Sequence, residues 1–128
     1  MTADLAFAPS ASTVAHRRAL RISDAELVSD LIDKLGTRVV AHIVHKDPST
    51  VSRWKSGATR LPDEAGQSLR LVFQIFQMLE TEEADSTVRA WFLGMNPDLD
   101  DVSPADAVRI GQHRNVMAAA RAFLSAAA

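Results

Sequence analysis

The sequence predicts an all-α fold. Alanine is abundant, glycine and proline number only five each, and β-branched runs are short, a balance that favours helix. Apolar residues recur three and four positions apart through most of the chain, the spacing of one helix face. With 128 residues, 47% of them hydrophobic, the chain is long enough to bury a core as one domain or as two small ones packed together. It has no cysteine, which excludes a disulfide framework and a thiolate metal site and points to a reducing, cytoplasmic setting. No apolar run approaches the ~18 residues that a membrane span needs. Asp4 stands where an export signal would carry basic charge, so no signal is expected.

Residues 1–22 form a lead, without periodicity over its first part and then helical from near Thr13 through Arg17, Arg18 and Arg21. Ser23 followed by Glu26 is a capping-box pattern, in which each side chain satisfies a backbone N–H at the helix start. It opens a helix with Leu27, Leu31, Ile32 and Leu35 inward, ended by Gly36. Thr37 is expected to cap the next helix, Arg38 to about Val44, with Val40, Ala41 and Val44 inward. After a tight turn at His45 and Lys46, Asp47 as N-cap and Pro48 at the first helical position begin a helix that stops at Gly57. Pro62 and Asp63 introduce the longest helix, to about Glu80, with the apolar stripe Leu69, Val72, Phe73, Phe76 and Leu79. The acids from Glu80 to Asp85 read as an exposed connection between a first domain, residues 23–82, and a second, residues 83–128. The second begins with a short helix, Thr87 to about Leu93, placing Val88, Trp91 and Phe92 inward. Met95 to Val102 has turn chemistry throughout, with Asn96 expected to bond its own downstream backbone and Leu99 to plug the core. Ser103, Pro104 and Asp106 begin a helix that Gly111 ends. A last helix runs from about Arg114 to Ala126 and buries Val116, Ala119, Ala120 and Phe123.

The net charge of −2 conceals a segregation by sign. From Lys34 to Gln77, seven Lys and Arg oppose Asp47, Asp63 and Glu64, a balance of +4. From Glu80 to Asp101, seven acids oppose only Arg89, a balance of −6. Either block alone is an ordinary solvated face, but a basic front beside an acidic middle suits two surfaces with different partners. The basic front holds the pattern of a helix-turn-helix. The first helix of such a pair needs a small residue where the second crosses it, and Ala41 supplies one. Val44, Val51 and Trp54 lock the crossing, His45 to Asp47 make the turn, and the outer face of Pro48 to Ser56 is polar. That face carries Ser49, Thr50, Ser52, Arg53 and Lys55, the residue types that enter a major groove. His45 occupies the turn position usually held by glycine, where it is expected to adopt a left-handed conformation at some energetic cost.

Enzyme chemistry is not expected. The histidines His16, His42, His45 and His113 have no cysteine or carboxylate at ligand spacing, and two histidines three apart do not make a zinc site. Glu80, Glu82, Glu83 and Asp85 fall in a connection without a pocket to shift a pKa. Asp98, Asp100 and Asp101 lack the glycine and the terminal glutamate of a calcium loop. No phosphate-cradling glycine loop is present, so neither a cofactor nor a metal is expected.

The stretch VVAHIVHKDPSTVSRWKSG resembles the helix-turn-helix of the phage-repressor-like (Xre) family, and TRLP continues the likeness into the following loop. By that resemblance Ser49 and Arg53 fall where base edges are read, Arg53 with the geometry to grip a guanine. Thr50, Lys55 and Arg60 fall where phosphates are held. The stretch WFLGMNPDLDDVSPADAVRIGQHRNVMAAARAFL resembles the toxin-binding domain of the Xre/MbcA/ParS antitoxins. The likeness lies in a Trp-bearing short helix, an Asn-Pro-x-Leu turn, a Pro-initiated helix ended by glycine, and a final helix. Met95 before the Asn-Pro pair and Ala107, where leucine is commoner, depart from the pattern.

Together the resemblances imply an Xre-like helix-turn-helix domain followed by a small helical toxin-binding domain, an antitoxin of a type II toxin–antitoxin module. The implied partner is a RES-domain toxin that degrades NAD or uses it for ADP-ribosylation, neutralised by covering its active-site entrance. The final helix and tail, Arg114 to Ala128, would be the inserting element. The resemblance assigns toxin contact to Trp91, Asn96, Pro97, Arg114, Arg121, Phe123 and Leu124. It also implies a homodimer that binds operator DNA and represses its own operon. The long helix with Phe73, Phe76 and Met78 offers either a dimer surface or ordinary core. Competing readings are a stand-alone Xre-family transcription regulator with a C-terminal dimerisation domain, and an adaptor whose helical hairpin no longer binds DNA.

Overall fold

A computed structural model describes residues 10–127 of the chain. The first nine residues of the lead and Ala128 of the tail lie outside the described residues. Among the described residues the chain is all-α: eight α-helices and a 3-10 turn, with an isolated bridge between Asn96 and Val102 in place of any strand. None of these helices is long and apolar enough to cross a membrane.

Some of the helices begin where a side chain satisfies one of the first N–H groups, and others do not. The Ser10 hydroxyl accepts from the Thr13 amide at 3.1 Å and starts α1 (Ala11–Arg21). The Ser23 hydroxyl accepts from the Glu26 amide at 3.2 Å and donates to the Glu26 carboxylate at 2.9 Å, opening α2 (Asp24–Leu35). Only half of the expected box forms: the Glu26 carboxylate takes the Ser23 hydroxyl in place of the Ser23 backbone N–H. Thr37 does not cap: Gly36, at φ 89, serves as the C-cap of α2 and the N-cap of α3 (Thr37–Ile43) at once. One residue doing both leaves Thr37 already inside the first turn. In α4 (Pro48–Ser56), Asp47 is the N-cap, but its carboxylate makes no capping bond; its carbonyl accepts from the Thr50 and Val51 amides. Helices α5 (Asp63–Leu79), α6 (Asp85–Leu93), α7 (Pro104–Arg109) and α8 (His113–Ala127) follow.

The longest helix organises the rest. Helix α5 buries Ala65, Gly66, Leu69, Val72, Phe73, Ile75, Phe76, Met78 and Leu79, more of its circumference than an amphipathic surface helix would. Helix α1 lies along it, and α2 and α8 also pack on it. Phe73, Phe76 and Met78 are 3%, 0% and 1% exposed, so they are core and offer no dimer surface. Phe76 stacks on Phe92 of α6 at 4.8 Å, and burying such a ring contributes roughly 2–3 kcal/mol. Leu27, Leu31 and Leu35 of α2 join the same core with Val28, while Ile32 is only half-buried. The core runs without a break from Ala19 to Ala120, because α3 packs on α7 and α5 on α8.

Polar groups pin two of these contacts. Arg70 of α5 donates to the carbonyls of Ala19 (2.7 Å) and Ile22 (2.9 Å) and to the Asp24 carboxylate (2.6 Å), tying down the end of α1 and the start of α2. Lys34 of α2 reaches Glu80 at 2.8 Å and Asp30 at 3.2 Å, with its ammonium 5.3 Å from the Phe76 ring centre. Burial opposes the Lys34 charge, but the bond to Glu80 and the attraction of Asp30 and Glu80 outweigh it and raise its pKa. Glu80 is therefore not part of an exposed connection. Burial, then the neighbouring Asp85 carboxylate, push its pKa up against the pull of Lys34. The sequence shows an acid there but not the lysine that arrives from α2.

Candidate nucleic-acid interface and partner surface

Helices α3 and α4 meet across a turn of four residues, Val44 to Asp47. Ala41 at the contact is buried, as are Ile43, Val44, Val51 and Trp54, which fasten the two helices to each other and to α2. Trp54 is 3% exposed, so the opposite face of α4 is forced outward. Ser49, Ser52, Arg53 and Lys55 stand exposed on it, whereas Thr50 is half-buried. The Arg53 guanidinium folds back to donate to the Thr50 hydroxyl at 3.2 Å. Ser56, which the sequence did not single out, donates to the Arg53 carbonyl at 3.1 Å and closes the helix end beside Gly57. Arg60 is exposed in the following loop. The face therefore presents three cations and a row of hydroxyls, the donors that contact phosphates and base edges.

The turn itself is unusual in composition. His45 is left-handed at φ 59, as its place in the turn predicts. Its amide donates to the His42 carbonyl (3.4 Å) and the next amide, of Lys46, to the Ala41 carbonyl (3.0 Å), which is the Schellman closure of a helix end. From this turn and the last residues of α3 three hydrogen bonds cross to α7. The His45 ring Nε2–H donates to the Arg109 carbonyl at 2.8 Å, and the His42 ring Nε2 meets the Asp106 carboxylate at 2.6 Å. The Arg109 guanidinium donates back to the His42 carbonyl. Nothing in the sequence pairs positions so far apart, though a histidine in a glycine's place was the available signal. The rings of His42 and His45 are thus spent on separate partners.

On the partner side, Trp91 is half-buried, edge-on to Phe92 at 5.1 Å and tilted against Phe123 at 6.1 Å. Trp91 and Phe123 are thereby brought together. Phe123 and Leu124 are half-buried against the core, so α8 is docked along that side and not free. Arg114 and Arg121 are exposed and seven residues apart, two turns along one face of α8. Asn96 works for its own loop: its side chain accepts from the Asp98 amide at 2.9 Å, and its carbonyl from the Leu99 and Asp101 amides. Pro97 is exposed beside it at the start of the 3-10 turn Pro97–Leu99, and Leu99 is buried as the pattern predicts. No protein-family model, curated protein or solved structure matches this chain.

Proposed function

We propose that this protein is the antitoxin of a type II toxin–antitoxin module and that it reads its own operator through α4. The observation that carries the DNA half is the two-sided build of α4. Val51 and Trp54 are buried, while Ser49, Ser52, Arg53 and Lys55 are held outward on a short helix that follows a tight turn. Arg53 and Ser49 read base edges; Thr50, Lys55 and Arg60 hold phosphates, Thr50 after Arg53 has released its hydroxyl. The antitoxin half is supported by the resemblance of residues 91–124 to the Xre/MbcA/ParS toxin-binding domain. Its partner is a RES-domain toxin acting on NAD in the cytoplasm. Arg114 and Arg121 on the outer face of α8, with Trp91, Pro97 and the half-exposed Phe123 and Leu124, make the contact, and Asn96 keeps the loop in shape.

Two experiments test the two halves separately. A gel shift with the DNA upstream of the chain's own reading frame is expected to be strong at low salt and abolished by Arg53→Ala, since a bidentate guanine contact is worth about 1–3 kcal/mol. An unchanged shift in the variant removes Arg53 from base reading. Co-expression with a RES-domain toxin encoded beside it is expected to rescue growth, and charge reversal at Arg114 and Arg121 to abolish the rescue while the protein stays folded. Persistent rescue shows that α8 does not cover the toxin.

Two observations favour a stand-alone regulator whose second half supports the first. Phe123 and Leu124 are already packed on this chain's own core, and α7 is bonded to the α3–α4 turn. Failure of the rescue beside an intact gel shift selects that reading.

A further inference from the structure

Three helices of this chain end in the same way. Helices α3, α4 and α7 each close with a left-handed residue, His45 (φ 59), Gly57 (φ 81) and Gly111 (φ 85). In each, the following amide reaches back five residues, Lys46 to Ala41, Ala58 to Arg53 and Gln112 to Ala107. Two of the three use glycine, which enters this conformation without strain. The third uses histidine, for which the conformation is costly, and its ring is the one that bonds another helix.

The bond it makes is half of a reciprocal pair. The His45 ring caps the Arg109 carbonyl, one of the carbonyls left over at the end of α7. The Arg109 guanidinium caps the His42 carbonyl at the end of α3. Each helix end thus lends the other a donor, and the contact of His42 with Asp106 adds a third strut on the same side. Four residues separate the end of α3 from Pro48, so a shift of this turn moves α4 with it. Open grooves of about 420 and 390 Å³ flank the pair, both lined by His45 and Arg109, which leaves it within reach of solvent.

We infer that His45 and Arg109 are positioning residues whose mutual capping fixes the α3–α4 turn, so that presentation of α4 to DNA is set from α7. This rests on the DNA-reading proposal above. Neither residue needs to touch DNA; both act through the turn.

The test uses the full chain with His45→Gly, Arg109→Ala and His45→Gln, the last keeping a donor of similar reach. Hydrogen exchange at the Lys46 and Val51 amides is expected to speed up roughly tenfold in the first two variants and to recover in His45→Gln, with the Ala120 amide unchanged. Affinity for the DNA upstream of the chain's own reading frame is expected to fall roughly tenfold in the first two and to recover likewise, with no loss of melting temperature in His45→Gly. A histidine that served only the backbone would behave oppositely, because glycine relieves the strain and would leave binding intact. Unchanged exchange at Lys46 and Val51 overturns the inference. So does faster exchange with unchanged affinity. If the unmutated chain shifts no DNA, the proposed function fails, and the exchange measurement alone still decides whether α7 holds the turn.

Discussion

Glu80 carries a carboxylate that is partly buried beside Asp85, and burial followed by that neighbour raises its pKa even with Lys34 attached. A group whose folded pKa is raised adds stability below its unfolded pKa and loses it as pH rises through the folded one. Ionising Glu80 therefore gives up part of the stability that its protonated form lends the fold, while the bond to Lys34 offsets some of that loss. The stability of the wild-type chain relative to Glu80→Gln is expected to grow as pH falls from neutral to about 4. Urea unfolding at a series of pH values measures it, and two parallel pH curves would remove the burial argument. Lys34, with its pKa raised, stays charged across that window and loses its contribution only above the usual lysine range. At this scale the sequence is a good guide to backbone and a poor one to partners. The left-handed turn at His45 follows from its neighbours, but its ring bonds a residue 64 positions away, and Glu80 meets a lysine 46 positions away.

Helix starts in this chain differ in what holds them. The Ser103 hydroxyl accepts from the Asp106 amide at 3.0 Å, so Ser103→Ala is expected to cost about 1 kcal/mol. Thr37→Ala, at a start with no side-chain cap, is expected to change stability by less than about 0.5 kcal/mol. Thermal denaturation of the two variants side by side checks the contrast, and equal losses would contradict the capping assignment. Both residues have the same sequence signature, a hydroxyl ahead of a helical run. What separates them is Gly36, which ends one helix and begins the next with no residue between. The width of the buried face on α5 was equally hidden. Its stripe is legible from period, yet Ile75 and Met78 lie off that stripe and are covered because α1 and other helices close around α5. Periodicity describes one face and is silent about how many neighbours a helix has. The polar face of α4, by contrast, was legible almost entirely, because Val51 and Trp54 determine which side points out.

The uninterrupted core has a consequence for the molecule as a unit. Its only two tryptophans fall one in each half, Trp54 on α4 and Trp91 on α6. In Trp54→Phe and in Trp91→Phe, the remaining tryptophan's fluorescence is expected to melt at the same midpoint as the far-UV circular dichroism. A second midpoint in either variant would mean that the halves unfold separately. The grip of Arg70 on α1 bears on the order in which the chain assembles. Helix α1 has 11 residues, too few to persist alone in water, and its terminal carbonyls wait for a guanidinium roughly fifty positions further on. It is therefore expected to consolidate after α5 has formed, late on the folding route. In stopped-flow kinetics Arg70→Ala is expected to hasten unfolding and leave the folding rate nearly as it was, so that Arg70 would govern how long the native state lasts more than how quickly it is reached; slowed folding would contradict this.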